Sequence, residues 1–114
     1  TIPEAARQGA DYTALAAELK LRGEAAAVPG TAELEARLAA DADDHQARFD
    51  LALALNAAGQ RVEAAEALLA LMKRDRGWND DAARQKLIEF FAAWGAKDPA
   101  TLKGRRLLSA LLFA

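Results

Sequence analysis

Apolar residues recur at spacings of three and four along most of this chain, and glycine, proline and aspartate interrupt them at helix-sized intervals. The interruptions fall at Gly23, Val28-Pro29-Gly30, Gly59, Gly77, Gly95 and Asp98-Pro99. Valine and isoleucine are few and never alternate with polar residues over a useful length, so no strand is predicted. Thr1 to Gly9 reads as a short helix started by Pro3 or as a loop. A firmer helix begins near Asp11, its expected N-cap, with Tyr12, Leu15, Leu19 and Ala26 on one face, and Pro29-Gly30 ends it. Thr31 is the expected cap of the next helix, whose first turns carry Glu33 and Glu35 and whose inner face is Leu34 and Leu38. Asp41, Asp43 and Asp44 form an acidic linker, and Asp43 or Asp44 can cap the helix after it.

The middle of the chain predicts an antiparallel helical hairpin. Its first helix runs from His45 to Ala58 and carries Phe49, Leu51, Ala52 and Leu55. Gly59-Gln60 makes a tight turn, since glycine enters the left-handed region without a Cβ clash. The second helix runs from Val62 to Arg74, and Lys73 and Arg74 complement its negative end. Trp78 lies in the next connection. Asn79 or Asp80 is then expected to cap a helix bearing Leu87, Ile88, Phe90, Phe91 and Trp94. Asp98-Pro99 is a strong start signal for a last helix, because proline at the first position loses nothing by lacking an N–H.

Composition supports helices and narrows the partners. Hydrophobic residues make up 53% of the 114 positions and charged residues 28%, which suits one folded domain rather than a disordered chain. Alanine dominates the apolar set and is the best helix former, because it has no side-chain entropy to lose. The net charge of -2, with 15 basic and 17 acidic residues, offers no basic excess for a phosphate backbone, so nucleic acid is not an expected partner. No apolar run approaches the ~20 residues that span a bilayer. With no cysteine, the chain has no disulfide, thiolate metal site or thiol redox chemistry of its own. No signal peptide is visible and the first residue is Thr1, which reads as a piece of something longer, and the lack of cysteine is compatible with a cytoplasmic home.

Candidate chemistry is sparse. His45 is the single histidine, beside Asp44, and its expected role is at the surface or in capping rather than in catalysis, which would need a nucleophile or orienting carboxylate in a pocket. Asp41, Asp43 and Asp44 lack the glycine and distal glutamate of a calcium loop. Asp80-Asp81 read as first-turn residues favoured by the helix dipole. Trp78, Phe90, Phe91 and Trp94 can line a ligand pocket, though aromatics at helical spacing more often form core. No catalytic residue, cofactor or metal ligand is assigned.

The hairpin resembles a tetratricopeptide repeat, a unit of two helices recurring about every 34 residues. Leu51-Ala52 resembles the leucine–small pair of the first helix, Gly59 the turn glycine, and Ala64 the second-helix alanine at the crossing, with Leu68 and Leu71 at apolar positions. Arg48 stands where an aromatic is common, and Arg76 replaces the closing proline. Some such domains clamp a peptide carboxylate on their concave face with lysine and asparagine. The matching positions here are Phe49 and Leu53, with Asn56 further along, so the clamp is missing. The face remains open as an apolar groove for a hydrophobic segment or for the neighbouring helix.

The C-terminal half carries a second resemblance. The run from Leu71 through Gly77-Trp78-Asn79-Asp80-Asp81 to Leu87, then Phe90-Phe91, Gly95, Asp98-Pro99, Arg105-Arg106-Leu107 and Leu111-Leu112-Phe113, is similar to the C-terminal end of the thioredoxin-like chaperedoxins. That resemblance implies an N-terminal thioredoxin domain outside this chain. It further implies a bacterial cytoplasmic protein that holds unfolded or oxidised clients and hands them to a GroEL-type chaperonin through its last helix. Arg105, Arg106, Leu107, Leu108, Leu111, Leu112 and Phe113 are then the candidate partner site. The same helix reads equally well as a cap that completes a solenoid.

The expected architecture is an all-α, right-handed α-α superhelix of about six helices in a single domain spanning residues 1–114. The expected role is protein–protein interaction, without bond-making, in a monomer or weak dimer. A structural or oligomerisation module, or the substrate-selecting domain of a thioredoxin-type disulfide reductase, are the alternatives.

Overall fold

A computed structural model describes the backbone of residues 10–113 and the side chains of residues 14–113. The opening segment with Pro3, and the Tyr12 side chain, lie outside the described residues. Among the described residues six helices follow one another: α1 (Ala10–Ala26), α2 (Thr31–Ala40), α3 (His45–Ala57), α4 (Arg61–Arg74), α5 (Trp78–Trp94) and α6 (Pro99–Leu112). Among the described residues there is no strand. The fold is an all-α helical repeat.

The expected hairpin is α3–α4, and its turn shows why glycine is needed. The Gly59 N–H donates to the Asn56 carbonyl and the Gln60 N–H to the Leu55 carbonyl, which closes the end of α3 only if Gly59 takes a positive φ, here 83°. Asp44 caps α3 by accepting from the Ala47 N–H, and Asp98 caps α6 by accepting from the Ala100 N–H ahead of Pro99.

Helix α4 is the centre of the molecule. Ala64, Ala65, Ala67, Leu68, Leu69, Leu71 and Met72 are all buried, so α4 is apolar around most of its girth and must be covered on several sides. α3, α5 and α6 supply that cover, and α2 packs on the outer side of α3. α1 does not follow this serial order. It lies against α5 and α3 together, bridging two helices that are not neighbours in sequence.

Four local expectations are corrected. Asp11 and Gly23 lie within α1, so neither one bounds the helix. α1 buries Leu21, at 2% exposure, while Leu15 and Leu19 stand 52% and 58% exposed. Alanines surround this helix and leave no dominant stripe, so its neighbours rather than its own pattern chose the face. Thr31 is already helical, with Gly30 at the cap position and no side-chain cap bond. Asn79 and Asp80 do not cap α5: with Asp81 they form a left-handed turn, at φ 49°, 55° and 66°. Left-handed backbone costs about 1–2 kcal/mol per residue, and asparagine and aspartate are the non-glycine residues that tolerate it best. Arg84 Nε donates to Asp81 Oδ2 at 2.5 Å, and Gln85 Nε2 to the Asp80 carbonyl at 2.9 Å.

Candidate partner-binding surfaces

The three groove residues of α3 meet different surroundings. Phe49 is half-buried, its ring centroid 5.5 Å from that of Trp78. Leu53 is buried in the same cluster as Leu21 of α1. Asn56 Oδ1 accepts a 2.7 Å hydrogen bond from Trp94 Nε1, and Asn56 borders a small polar cavity of about 190 Å³ with Leu21 and Arg22. α1 therefore seats beside the α3 positions that sequence reasoning left open to a neighbouring helix.

Charge locks α1 to α5. Lys86 is only 6% exposed, and its ammonium donates to Glu24 at 2.6 Å and to Glu89 at 3.1 Å. Lys20 reaches the same Glu89 oxygen at 3.0 Å. A buried ammonium stays charged only where carboxylates compensate its lost hydration. Burial alone would push the Glu89 carboxyl up, but hydrogen bonds and charge from Lys20 and Lys86 outweigh it and hold the carboxyl below its ordinary range. The hydrogen bond and charge of Glu89 raise the Lys20 ammonium in turn. Sequence reasoning missed this network. The available signal was Lys20 and Glu24 four apart on one helix and Lys86 and Glu89 three apart on another.

On α6 the candidate residues divide. Leu107, Leu108, Leu111 and Leu112 are half-buried and packed against the core. Arg105 and Arg106 are exposed, with the Arg105 guanidinium 5.8 Å from the Phe91 ring centroid. Phe113 is 82% exposed. Leu102, 55% exposed, adds an outward apolar residue that the candidate site had not included. The helix packs on α4 as well as on the preceding α5. Between α4 and α6 runs a mainly apolar groove of about 580 Å³, bordered by Leu69, Ala70, Leu107, Ala110 and Leu111, with Glu66 and Lys73 at its rim. Arg76, at the place of the closing proline, donates to the Leu111 carbonyl at 3.1 Å and ties down the end of α6.

This arrangement of tight helical hairpins on one continuous core agrees with a match to the tetratricopeptide repeat model over residues 24–113. The chain belongs to the tetratricopeptide repeat family. Repeats of this family typically act as non-catalytic modules for protein–protein interaction. An uncharacterized protein of Haemophilus influenzae is 34% identical over 99 residues, covering 87% of this chain and 45% of the relative. The chain thus spans just under half the length of that relative. In repeat terms α3–α4 is one helical pair and α5–α6 the next, with α2 stacked before them.

The remaining candidates are parts of this frame. The aromatics form two groups: Phe90 and Phe91 pack with Trp94, while Trp78 sits apart on Phe49 and His45. His45 is mostly buried, with Nε2 3.9 Å from Asp75, and opens α3 beside the capping Asp44. In the acidic linker Asp43 pairs with Arg74 at 2.7 Å, and Asp41 accepts from the Asp43 N–H. Among the described residues, no three His, Asp or Glu side chains converge to hold a metal ion, and no helix is long and apolar enough to cross a membrane.

Proposed function

We propose that this tetratricopeptide repeat domain is the partner-binding part of a thioredoxin-like co-chaperone, one that holds unfolded or oxidised clients and passes them to a GroEL-type chaperonin. The parent protein would carry a thioredoxin domain ahead of this chain and work in the cytoplasm. Binding is reversible burial of apolar surface, with no bond made or broken.

The observation that carries the reading is the outer side of α6. Leu102, Arg105, Arg106 and Phe113 are exposed on the last helix, next to the apolar α4–α6 groove. Exposed apolar residues beside cationic ones suit a partner groove that is apolar with acidic edges. The similarity of the C-terminal run to the chaperedoxins supplies the identity of that partner.

The test is a pull-down of the bacterial chaperonin and, separately, of a chemically unfolded client. The intact chain is compared with Phe113→Asp and with an Arg105→Glu, Arg106→Glu double variant. These side chains are exposed, so the variants are expected to keep the fold. Chaperonin capture that falls about tenfold or more in both variants supports the assignment. An intact, folded chain that captures neither chaperonin nor client overturns it.

A further inference from the structure

The α1 helix packs against α3 and α5, beside Leu53 and Asn56 of the candidate groove. Its hold there is unusual for a core helix. Leu21 is its one fully buried side chain among the described residues, and Leu15 and Leu19 stand exposed. Besides the half-buried Ala25, which packs on the core, ion pairs join α1 to α5: Glu24 meets the buried Lys86, and Lys20 meets Glu89. The groove is incompletely filled, with the 190 Å³ cavity left open between Leu21, Arg22, Asn56 and Trp94. Gly23 lies within α1 with open space where a side chain would be, so it lowers the helix's own stability without any packing reason. The Ala27-Val28-Pro29-Gly30 connection joins α1 to α2 and is not helical.

We infer that α1 is a resident, displaceable ligand of the α3–α5 groove, and that the groove's external ligand is an amphipathic helix of the same chemistry. That helix presents a leucine with a lysine just before it and a glutamate three residues after it, as Lys20-Leu21-Arg22-Gly23-Glu24 does here. The leucine fills the slot of Leu21. The glutamate replaces Glu24 on Lys86, and the lysine replaces Lys20 on Glu89. Lys86 makes the groove selective, since an apolar helix without that carboxylate would deprive a buried ammonium of one of its two partners. α1 then acts as a gate: the apparent affinity of an incoming helix is reduced by the fraction of molecules in which α1 is seated. The inference rests on the protein-binding reading of the family and is independent of the chaperonin assignment.

A fluorescent peptide of residues 10–26 serves as the probe, titrated into the intact chain and into Leu21→Ala and Gly23→Pro variants, which loosen α1 in two ways. Each variant's remaining helices are checked by circular dichroism and cooperative melting, so loss of the whole fold is recognised. The expected result is peptide affinity about tenfold or more higher in the loosened chains. Adding Lys86→Glu to the Leu21→Ala chain is expected to weaken the native peptide and favour a Glu24→Lys peptide. Hydrogen exchange on the unmodified chain supplies a test that needs no variant: α1 amides should open well before those of α4. Peptide binding that is absent or equal in all chains, or α1 amides protected as strongly as α4, overturns the inference. Failure of the chaperonin pull-down leaves these measurements untouched.

Discussion

Two glycines lie inside helices in opposite surroundings. A Cβ on Gly23 would meet nothing within 4 Å, whereas one on Gly104 would lie 2.6 Å from Phe91 Cε1 and 3.7 Å from the Ala65 Cβ. Gly104 is thus the point where α6 comes down on the core. Gly23→Ala is expected to stabilise the chain by about 0.5–1 kcal/mol, the ordinary helical gain over glycine. Gly104→Leu is expected to cost about 1–3 kcal/mol by overpacking against a buried ring. Thermal and urea melts of the two variants should move in opposite directions, and equal shifts would refute the close approach. The turn glycine at residue 59 was legible in the sequence because its reason is local. Gly104 was not, because its reason is a phenylalanine on another helix.

At the scale of elements, the α1–α5 lock carries the ionisable groups whose titration the fold shifts. The charged groups facing one another across it are Lys20 and Glu24 from α1 and Lys86 and Glu89 from α5. Glu89 titrates below its ordinary 4.5 in the folded chain, so its contribution is fully present above that pH and is lost as pH falls through the lower folded value. Lys20 is raised above 10.5, so its contribution holds below that pH and disappears only in strong alkali. Glu89→Gln should therefore melt at a lower temperature than the parent at neutral pH, with the two melting temperatures converging as pH falls below 4.5 through the lower folded value. A difference that stays unchanged as pH falls through and well below 4.5 would show that the ion pairs do not hold α1. The helices themselves were legible from periodicity and punctuation, with the α3–α4 boundaries falling within a residue of expectation. The face of α1 was not, because its charges find partners only on a helix far downstream in the chain.

The whole molecule is a short stack of helices around α4, and α6 closes one side of it. The half-buried leucines of α6 and Gly104 cover Phe91, Ala65 and Leu69, so α6 is both a cap and a candidate partner site. Arg61 of α4 pairs with the capping Asp98, fixing where α6 starts, and Arg76 holds where it ends. A chain ending at Asp98 is expected to lose cooperative melting, because several large apolar side chains become exposed at once, each worth about 1.5–3 kcal/mol when buried. A sharp, unshifted transition in that truncated chain would show that the cap is dispensable. For the same reason, binding by α6 is best tested with substitutions at exposed positions, where partner contact and folding separate.

The sequence by itself determined the all-α class, the repeat hairpin, most of the helix ends, the turn at Gly59 and the caps at Asp44 and Asp98. Those features rest on interactions within a few residues, where spacing, glycine, proline and aspartate act directly on the backbone. Only the tertiary structure decided which side of α1 is inside, that Lys86 is buried between two carboxylates, and which α6 residues remain outward. It also decided that Asn79, Asp80 and Asp81 form a left-handed turn instead of a cap. In each case the deciding partner lies on a different element or in the closing geometry between elements, and a helix rich in alanine does not announce in its own pattern which neighbour it will meet.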